Sequence, residues 1–204
     1  MIYDESENSK LCMALKSVGI EVNSVYDLVN SQSKYDVAIP ILIDWLPIVK
    51  SDRMREGIAR ALTVKGIGSN ALNCLLTEFS TYKANNESEW SAKWAIANAI
   101  SEVATKNDLS KIRTLALDKK HGKAREMLIF TLGKFKGSSE TLDALIKLLS
   151  DKEVRIYALL ALGKQKSFDT MDAIATFLND QDPYVRKEAR KILTKLEKLQ
   201  NKKG

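Results

Sequence analysis

Val154-Arg155-x-x-Ala158-x-x-Ala161-Leu162 and Val185-Arg186-x-x-Ala189-x-x-Ile192-Leu193 are two copies of one block. Three more lie upstream: Met54-Arg55-x-x-Ile58-x-x-Ala61-Leu62, Ala92-Lys93-x-x-Ile96-x-x-Ala99-Ile100 and Ala124-Arg125-x-x-Leu128-x-x-Thr131-Leu132. The basic residue moves from 55 to 93, 125, 155 and 186, in steps of 38, 32, 30 and 31 residues, a period that marks stacked helical repeats. Counting the first residue of each block as zero, the apolar positions +4, +7 and +8 fall on one side of an α-helix. The block is therefore the buried stripe of the second, or B, helix of a pair, and the fold class is all-α.

Working outward, each B helix needs an antiparallel A helix before it. Residues 36–49 supply the first, apolar at Val37, Ile41, Ile43, Trp45, Leu46 and Val49; Ser51-Asp52 restarts the chain into a B helix that ends before Gly66. The second pair spans about 70–79 and 88–104, and its loop, 82–87, accounts for the 38-residue step. The third uses 109–117 and 123–135, with Gly122 in the turn and Gly137 at the end. The fourth uses 139–149, after which Ser150-Asp151-Lys152-Glu153 has capping-box spacing. In the fifth, 171–178 precedes Asp182 as N-cap and Pro183 at the first position of a helix reaching about Leu199. Residues 1–33 break the pattern and predict an irregular N-terminal cap of two helices, near 5–17 and 24–30, with Gly19 between them. No Gly/Ser linker divides the rest, so 34–204 reads as one repeat solenoid in a single domain.

Composition fits a folded chain with a continuous core: 45% of the 204 residues are hydrophobic and 28% charged. The net charge of +6 is unevenly placed. Residues 1–50 carry 4 basic and 7 acidic side chains, whereas 101–204 carry 22 and 14, so an anionic partner would approach the C-terminal half. Cys12 and Cys74 lie on apolar helical positions without metal-ligand spacing and read as reduced, unpaired thiols of a cytoplasmic protein. Met1-Ile2-Tyr3-Asp4-Glu5-Ser6-Glu7 is acidic where a signal peptide is basic and then apolar. The longest apolar stretch, 37–49, is interrupted by Asp44 and two prolines and falls short of the roughly 20 residues a bilayer crossing requires.

The block Val154-Arg155-x-x-Ala158-x-x-Ala161-Leu162-Gly163, preceded by an acidic turn at Asp151, resembles the HEAT repeat, in particular the short bacterial HEAT-like repeat first noted in phycobilisome lyases. Asp182-Pro183-x-Val185-Arg186-x-x-Ala189 resembles it equally. The resemblance covers 34–199 and departs in the second repeat, where Lys93 replaces arginine, and in the third, where Gly122 takes the acidic-turn position. It implies a right-handed α-α superhelix of about five pairs behind the N-terminal cap. It also implies that Arg55, Lys93, Arg125, Arg155 and Arg186 pair with a turn carboxylate or carbonyl of a neighbouring repeat.

Function must then be read from the residues facing outward. Positions +2, +6 and +9 lie opposite the core stripe and should form the central ridge of a concave B-helix surface. They are Glu56, Arg60 and Thr63; Trp94, Asn98 and Ser101; Glu126, Phe130 and Gly133; Ile156, Leu160 and Gly163; Lys187, Lys191 and Thr194. Trp94, Phe130, Ile156 and Leu160, with Ile129 and Leu159 beside them, Trp90 on the same side of its helix as Trp94, and Met127 and Tyr157 at the border, predict an apolar strip for a partner protein or peptide. Glu56 and Arg60 flank one end and Lys187, Lys191 and Arg190 the other. The alternative is that tight curvature or the 80–87 loop buries these side chains.

A nucleic-acid-binding reading rests on Lys119, Lys120, Lys123, Arg125 and Arg190 as phosphate contacts, with Lys187 and Lys191; His121 sits in that basic stretch as part of a solvated turn or of the phosphate patch. Some HEAT-like solenoids resemble alkylpurine DNA glycosylases, but no ridge position here is the aspartate that activity uses. The HEAT-like hydroxylases look to need several His-Glu pairs, and this chain has one histidine. The sequence thus predicts a noncatalytic scaffold, without cofactor, metal or membrane, whose partner is a protein or peptide.

Overall fold

A computed structural model describes residues 5–31, 33–64 and 66–202; Met1–Asp4, part of the acidic N-terminus read above, and the last two residues of the basic tail lie outside them. Twelve α-helices and no strand occur among the described residues. The chain forms two compact units, Met1–Ala104 and Thr105–Gly204.

In the first unit the helices are α1 (Glu5–Lys16), α2 (Val25–Val29), α3 (Ile39–Trp45), α4 (Asp52–Ala61), α5 (Ser69–Thr81) and α6 (Glu87–Val103). They form two layers: α2 packs on α4 and α4 on α6, while α1 packs on α3 and α3 on α5. The N-terminal pair therefore occupies the same two layers as the repeats that follow it. Gly19, at φ +82°, reverses the chain after α1. Ser24 and Asp27 then close a capping box around the short α2. Glu7 of α1 accepts hydrogen bonds from the backbone N–H of Lys50 and Ser51, at 2.9 and 3.0 Å, which ties α1 to the turn opening α4. Leu11, Leu15, Leu42, Leu46, Met54, Ile58, Leu75, Phe79, Ile96 and Ile100 fill the space between the layers.

The second unit contains α7 (Leu109–Leu117), α8 (Glu126–Lys134), α9 (Ser139–Leu148), α10 (Arg155–Gln165), α11 (Met171–Ala175) and α12 (Pro183–Gln200). α10 packs against both α8 and α12, and α7 packs on α9. Two helix starts and the extent of one helix depart from the sequence expectation. The third B helix begins at Glu126 rather than 123, because Gly122 (φ 50°, ψ −141°) breaks the run Lys119–Arg125, which winds as tighter 3₁₀ turns. Ser150 and Glu153 form no capping box: α10 starts at Arg155, while Asp151 accepts from the Glu153 N–H at 3.2 Å through one oxygen and from Arg125 through the other. The fifth A helix is α-helical only over Met171–Ala175 and continues as 3₁₀ turns. Asp182 caps α12 as expected, accepting from the Tyr184 N–H at 2.8 Å.

Small residues set the separation of neighbouring B helices. A Cβ built on Gly133 of α8 would lie 2.8 Å from the Cα of Ala161 on α10, and one on Gly163 of α10 would lie 2.9 Å from Ile192 of α12. Gly133 was expected on the open ridge; it is buried instead, because position +9 turns toward the following B helix. Ile129 and Leu159, at +5, are fully buried for the same reason and do not belong to the exposed strip. Gln165 closes this layer: its side-chain amide donates to the Leu132 and Phe135 carbonyls at 2.6 and 2.8 Å, satisfying the C-terminal turn of α8. Because the atom opposing Gly133 is backbone, Gly133→Ala must push α10 away from α8. It should cost about 1–3 kcal/mol, read as a lower urea midpoint in chemical denaturation; an unchanged midpoint would show that the two helices are free to separate.

Candidate functional site

The repeating basic residue reaches in two directions. Arg55 donates to the carbonyls of Leu46, at 2.9 Å, and Val49 at the end of its own A helix, and forms an ion pair with Glu78 on the A helix of the next pair. Tyr82 stacks on its guanidinium 4.5 Å away and donates its own hydroxyl proton to Asp52. Burial pushes the Glu78 carboxyl above the usual carboxylate range, against the opposing pull of Arg55. Arg125 donates to the Gly122 carbonyl at 2.8 Å and to Asp151, in the next pair's turn, at 2.9 Å. Arg155 makes the same forward step to Asp180 at 3.0 Å. Lys93 reaches the Tyr82 carbonyl and lies 5.2 Å from the Phe79 ring, and Arg186 donates to the carbonyls of Asp180 and Gln181 at 2.6 and 3.0 Å.

Two expectations are corrected by this geometry. Arg125 has no exposed surface and its guanidinium is already engaged, so it is not a phosphate contact. His121 is 1% exposed rather than part of a solvated turn, since the 3₁₀ winding carries its ring inward, 3.8 Å from Asp118. Lys119, Lys120 and Lys123 do remain exposed, with Lys120 paired to Asp118 at 2.9 Å.

The outward side chains of the B helices are held differently in each unit. In the first, Arg60 and Glu56 form an ion pair at 2.7 Å, and the Ser91 hydroxyl of α6 donates to the other Glu56 oxygen at 3.1 Å. Trp94 and Asn98, on α6, are half-buried, as is Trp90. In the second, Phe130 of α8 and Ile156 and Leu160 of α10 are also half-buried. The Lys164 ammonium lies 3.3 Å from the Phe130 ring centre, a cation–π contact that covers part of the ring. Tyr157 hydrogen-bonds Glu126, and burial together with that carboxylate raises the phenol above its ordinary range. Tyr184 is 53% exposed. Lys187, Arg190 and Lys191 are exposed on α12, with Lys191 3.3 Å from Glu188.

The strip is thus neither sealed in the core nor fully open. The sequence pattern located its residues by helical phase, but the covering of Phe130 by Lys164 and the pairing of Tyr157 with Glu126 join side chains 34 and 31 positions apart, which no local pattern signals. Cys12 and Cys74 are free and half-buried. Burial raises both thiols, so neither is an activated nucleophile. No helix among the described residues is long and apolar enough to cross a membrane.

Against known proteins, residues 142–202 match the family model described as HEAT repeats. This stretch, which holds most of α9 and all of α10, α11 and α12, belongs to the HEAT repeat family. No curated protein matches the chain. HEAT repeats commonly act as protein-interaction scaffolds and are typically noncatalytic.

The Arg125–Asp151 pair generates a stability prediction with a defined pH signature. Burial raises the Asp151 carboxyl, but the hydrogen bonds from Arg125 and the Glu153 N–H and the Arg125 charge outweigh it, and the net direction is down. A depressed folded-state value stabilises the protein above the unfolded value of about 3.9, and that contribution is lost as pH falls through the lower folded value. Arg125→Ala should therefore cost about 3–5 kcal/mol at neutral pH and flatten the loss of stability below about pH 4. Urea titrations at several pH values would show parallel acid limbs in both proteins if the pair contributes nothing.

Proposed function

We propose that the chain is a noncatalytic scaffold that holds a partner protein or peptide against the outward positions of its B helices. In the second unit the contact is made by Phe130, Ile156 and Leu160, with Lys164, Lys187 and Lys191 around them. In the first it is made by Trp94 and Asn98 beside the Glu56–Arg60 pair. The observation that supports this reading is the second-unit strip: large apolar side chains on neighbouring B helices are only partly buried and keep some of their surface in solvent. Aromatic anchors surrounded by charged side chains are where binding energy concentrates in protein interfaces.

The test is selection of peptides from a displayed random library on the immobilised chain, followed by affinity measurement on variants. Phe130→Ala and Leu160→Ala should each weaken the selected peptides by about 1–3 kcal/mol, roughly 5- to 150-fold, with unchanged far-ultraviolet circular dichroism. Trp94→Ala, tested separately, reports whether the first unit takes part. Retained affinity in both second-unit variants would place the binding surface elsewhere.

A further inference from the structure

The exposed face of α12 has a chemistry of which the scaffold reading uses only Lys187 and Lys191. Between 183 and 202 the chain carries seven basic and two acidic side chains. Arg186, Lys187, Arg190, Lys191, Lys195 and Lys198 together line one shallow groove along the helix. At about 100° per residue these six fall within half of the helix circumference, while Val185, Ala189, Ile192, Leu193 and Leu196 are buried on the other half. Two carboxylates lie on the helix: Glu188, buried, pairs with Lys191 at 3.3 Å, and Glu197 is the one acid on the exposed half, so the cations outnumber them six to two. Arg186 is held by two carbonyls, which fix its guanidinium without cancelling its charge.

The residue types distinguish this face from a stacking surface. Position +5, which turns toward the following B helix, is Ala59 in α4, Ile129 in α8 and Leu159 in α10, all buried. In α12 it is Arg190, and the next turns of that row bring Thr194 and Lys198, all exposed. Thr194 is the one small residue in the row, and Arg190 and Lys198 on either side of it are charged, so the row offers no apolar anchor of the kind a protein partner's binding energy centres on. Its apolar half is already buried, so the helix has nothing to insert into a lipid surface.

We propose that this face of α12 binds the sugar-phosphate backbone of a nucleic acid, without reading its sequence. The cations form two rows, Arg186–Arg190–Lys198 and Lys187–Lys191–Lys195, with steps of about 6 Å between residues four apart. The 18-residue helix is about 27 Å long, enough to run beside several successive phosphates. Tyr184, exposed at the N-terminal end of the rows, offers a ring for a base in a single strand to stack on. This site is separable from the scaffold surface through Arg190, Lys195 and Lys198, which lie outside the apolar strip.

Fluorescence anisotropy of the full chain with a labelled single-stranded RNA and a labelled DNA duplex, each of about 20 nucleotides per strand, tests this across about 50–200 mM salt. Six phosphate contacts give a slope of log K against log salt near −4 for the single strand and −5 for the duplex; the arm that binds more tightly identifies the source of the phosphates. Arg190→Glu/Lys195→Glu/Lys198→Glu, with folding checked by circular dichroism, should weaken binding at least about 10-fold and shallow the slope by about 2 to 3. Lys119→Glu/Lys120→Glu/Lys123→Glu should leave both nearly unchanged. The proposal is overturned by a slope near zero or by loss of binding in the 119–123 variant but not the α12 variant. Equal competition by polyglutamate at matched charge, or tighter binding to phosphatidylserine vesicles than to either oligonucleotide, would overturn it as well. None of these outcomes bears on peptide binding at Phe130 and Leu160.

Discussion

Within each unit, consecutive repeat pairs are joined by one arginine of the recurring block, which spans the gap between them. A guanidinium can do this because its donors point in several directions at once, so one edge satisfies the carbonyls at the end of its own A helix while another meets a carboxylate in the following pair. Arg55 does so with Leu46, Val49 and Glu78, and Arg125 with Ala116 and Asp151, with a further bond to Gly122 in its own turn; Arg155 contributes the forward bond to Asp180. Burying such a charge is costly unless every partner is in place, which makes the pairing a strong constraint on how consecutive pairs are set against each other. Where the residue is Lys93, the shape of the solution changes. Its single ammonium meets a carbonyl and the face of Phe79, as expected for a compact charge without a fork of donors.

The second constraint is steric and acts across the B layer. Gly133 and Gly163 let α8, α10 and α12 approach closely, so positions +5 and +9 become interior and the surface left open narrows to +2, +3 and +6. This narrowing determines which apolar residues belong to the proposed binding surface. Ile129 and Leu159 pack neighbouring repeats together, whereas Phe130, Ile156 and Leu160, one position further round or one turn away, stay half-exposed. The stack and the proposed binding surface therefore come from adjacent columns of the same helices.

In the second unit two chemically different surfaces share one layer. The α8 and α10 columns offer rings and branched aliphatic chains with a lysine laid over one ring, and α12 offers cations in rows. A partner on the first gains mainly from excluding water, and a partner on the second from displacing counterions, so salt dependence separates them. This difference also explains why the charge excess of residues 101–204 is a poor guide to function when read as a single number. Part of it, Arg125 and Arg155, is consumed internally by Asp151 and Asp180.

The internal role of the arginine column was implied by the resemblance to the HEAT repeat, whereas the recurrence of the block and the Asp182-Pro183 start were sufficient, without coordinates, to give the all-α class, the order of the pairs and the capping of α12. Those features follow from period, phase and residue type, which are local properties of a helix. Other features depend on distance between residues far apart in the chain, and only the tertiary structure decided them. Gly122 unwinds the start of the third B helix and turns His121 inward; Asp151 serves Arg125 instead of closing a capping box; Lys164 covers Phe130. A helical wheel shows which way a side chain points and not how close the neighbouring helix comes. Here that closeness is set by Gly133 against the backbone of Ala161, and it divides the outward-pointing residues into those that are buried and those that keep contact with solvent.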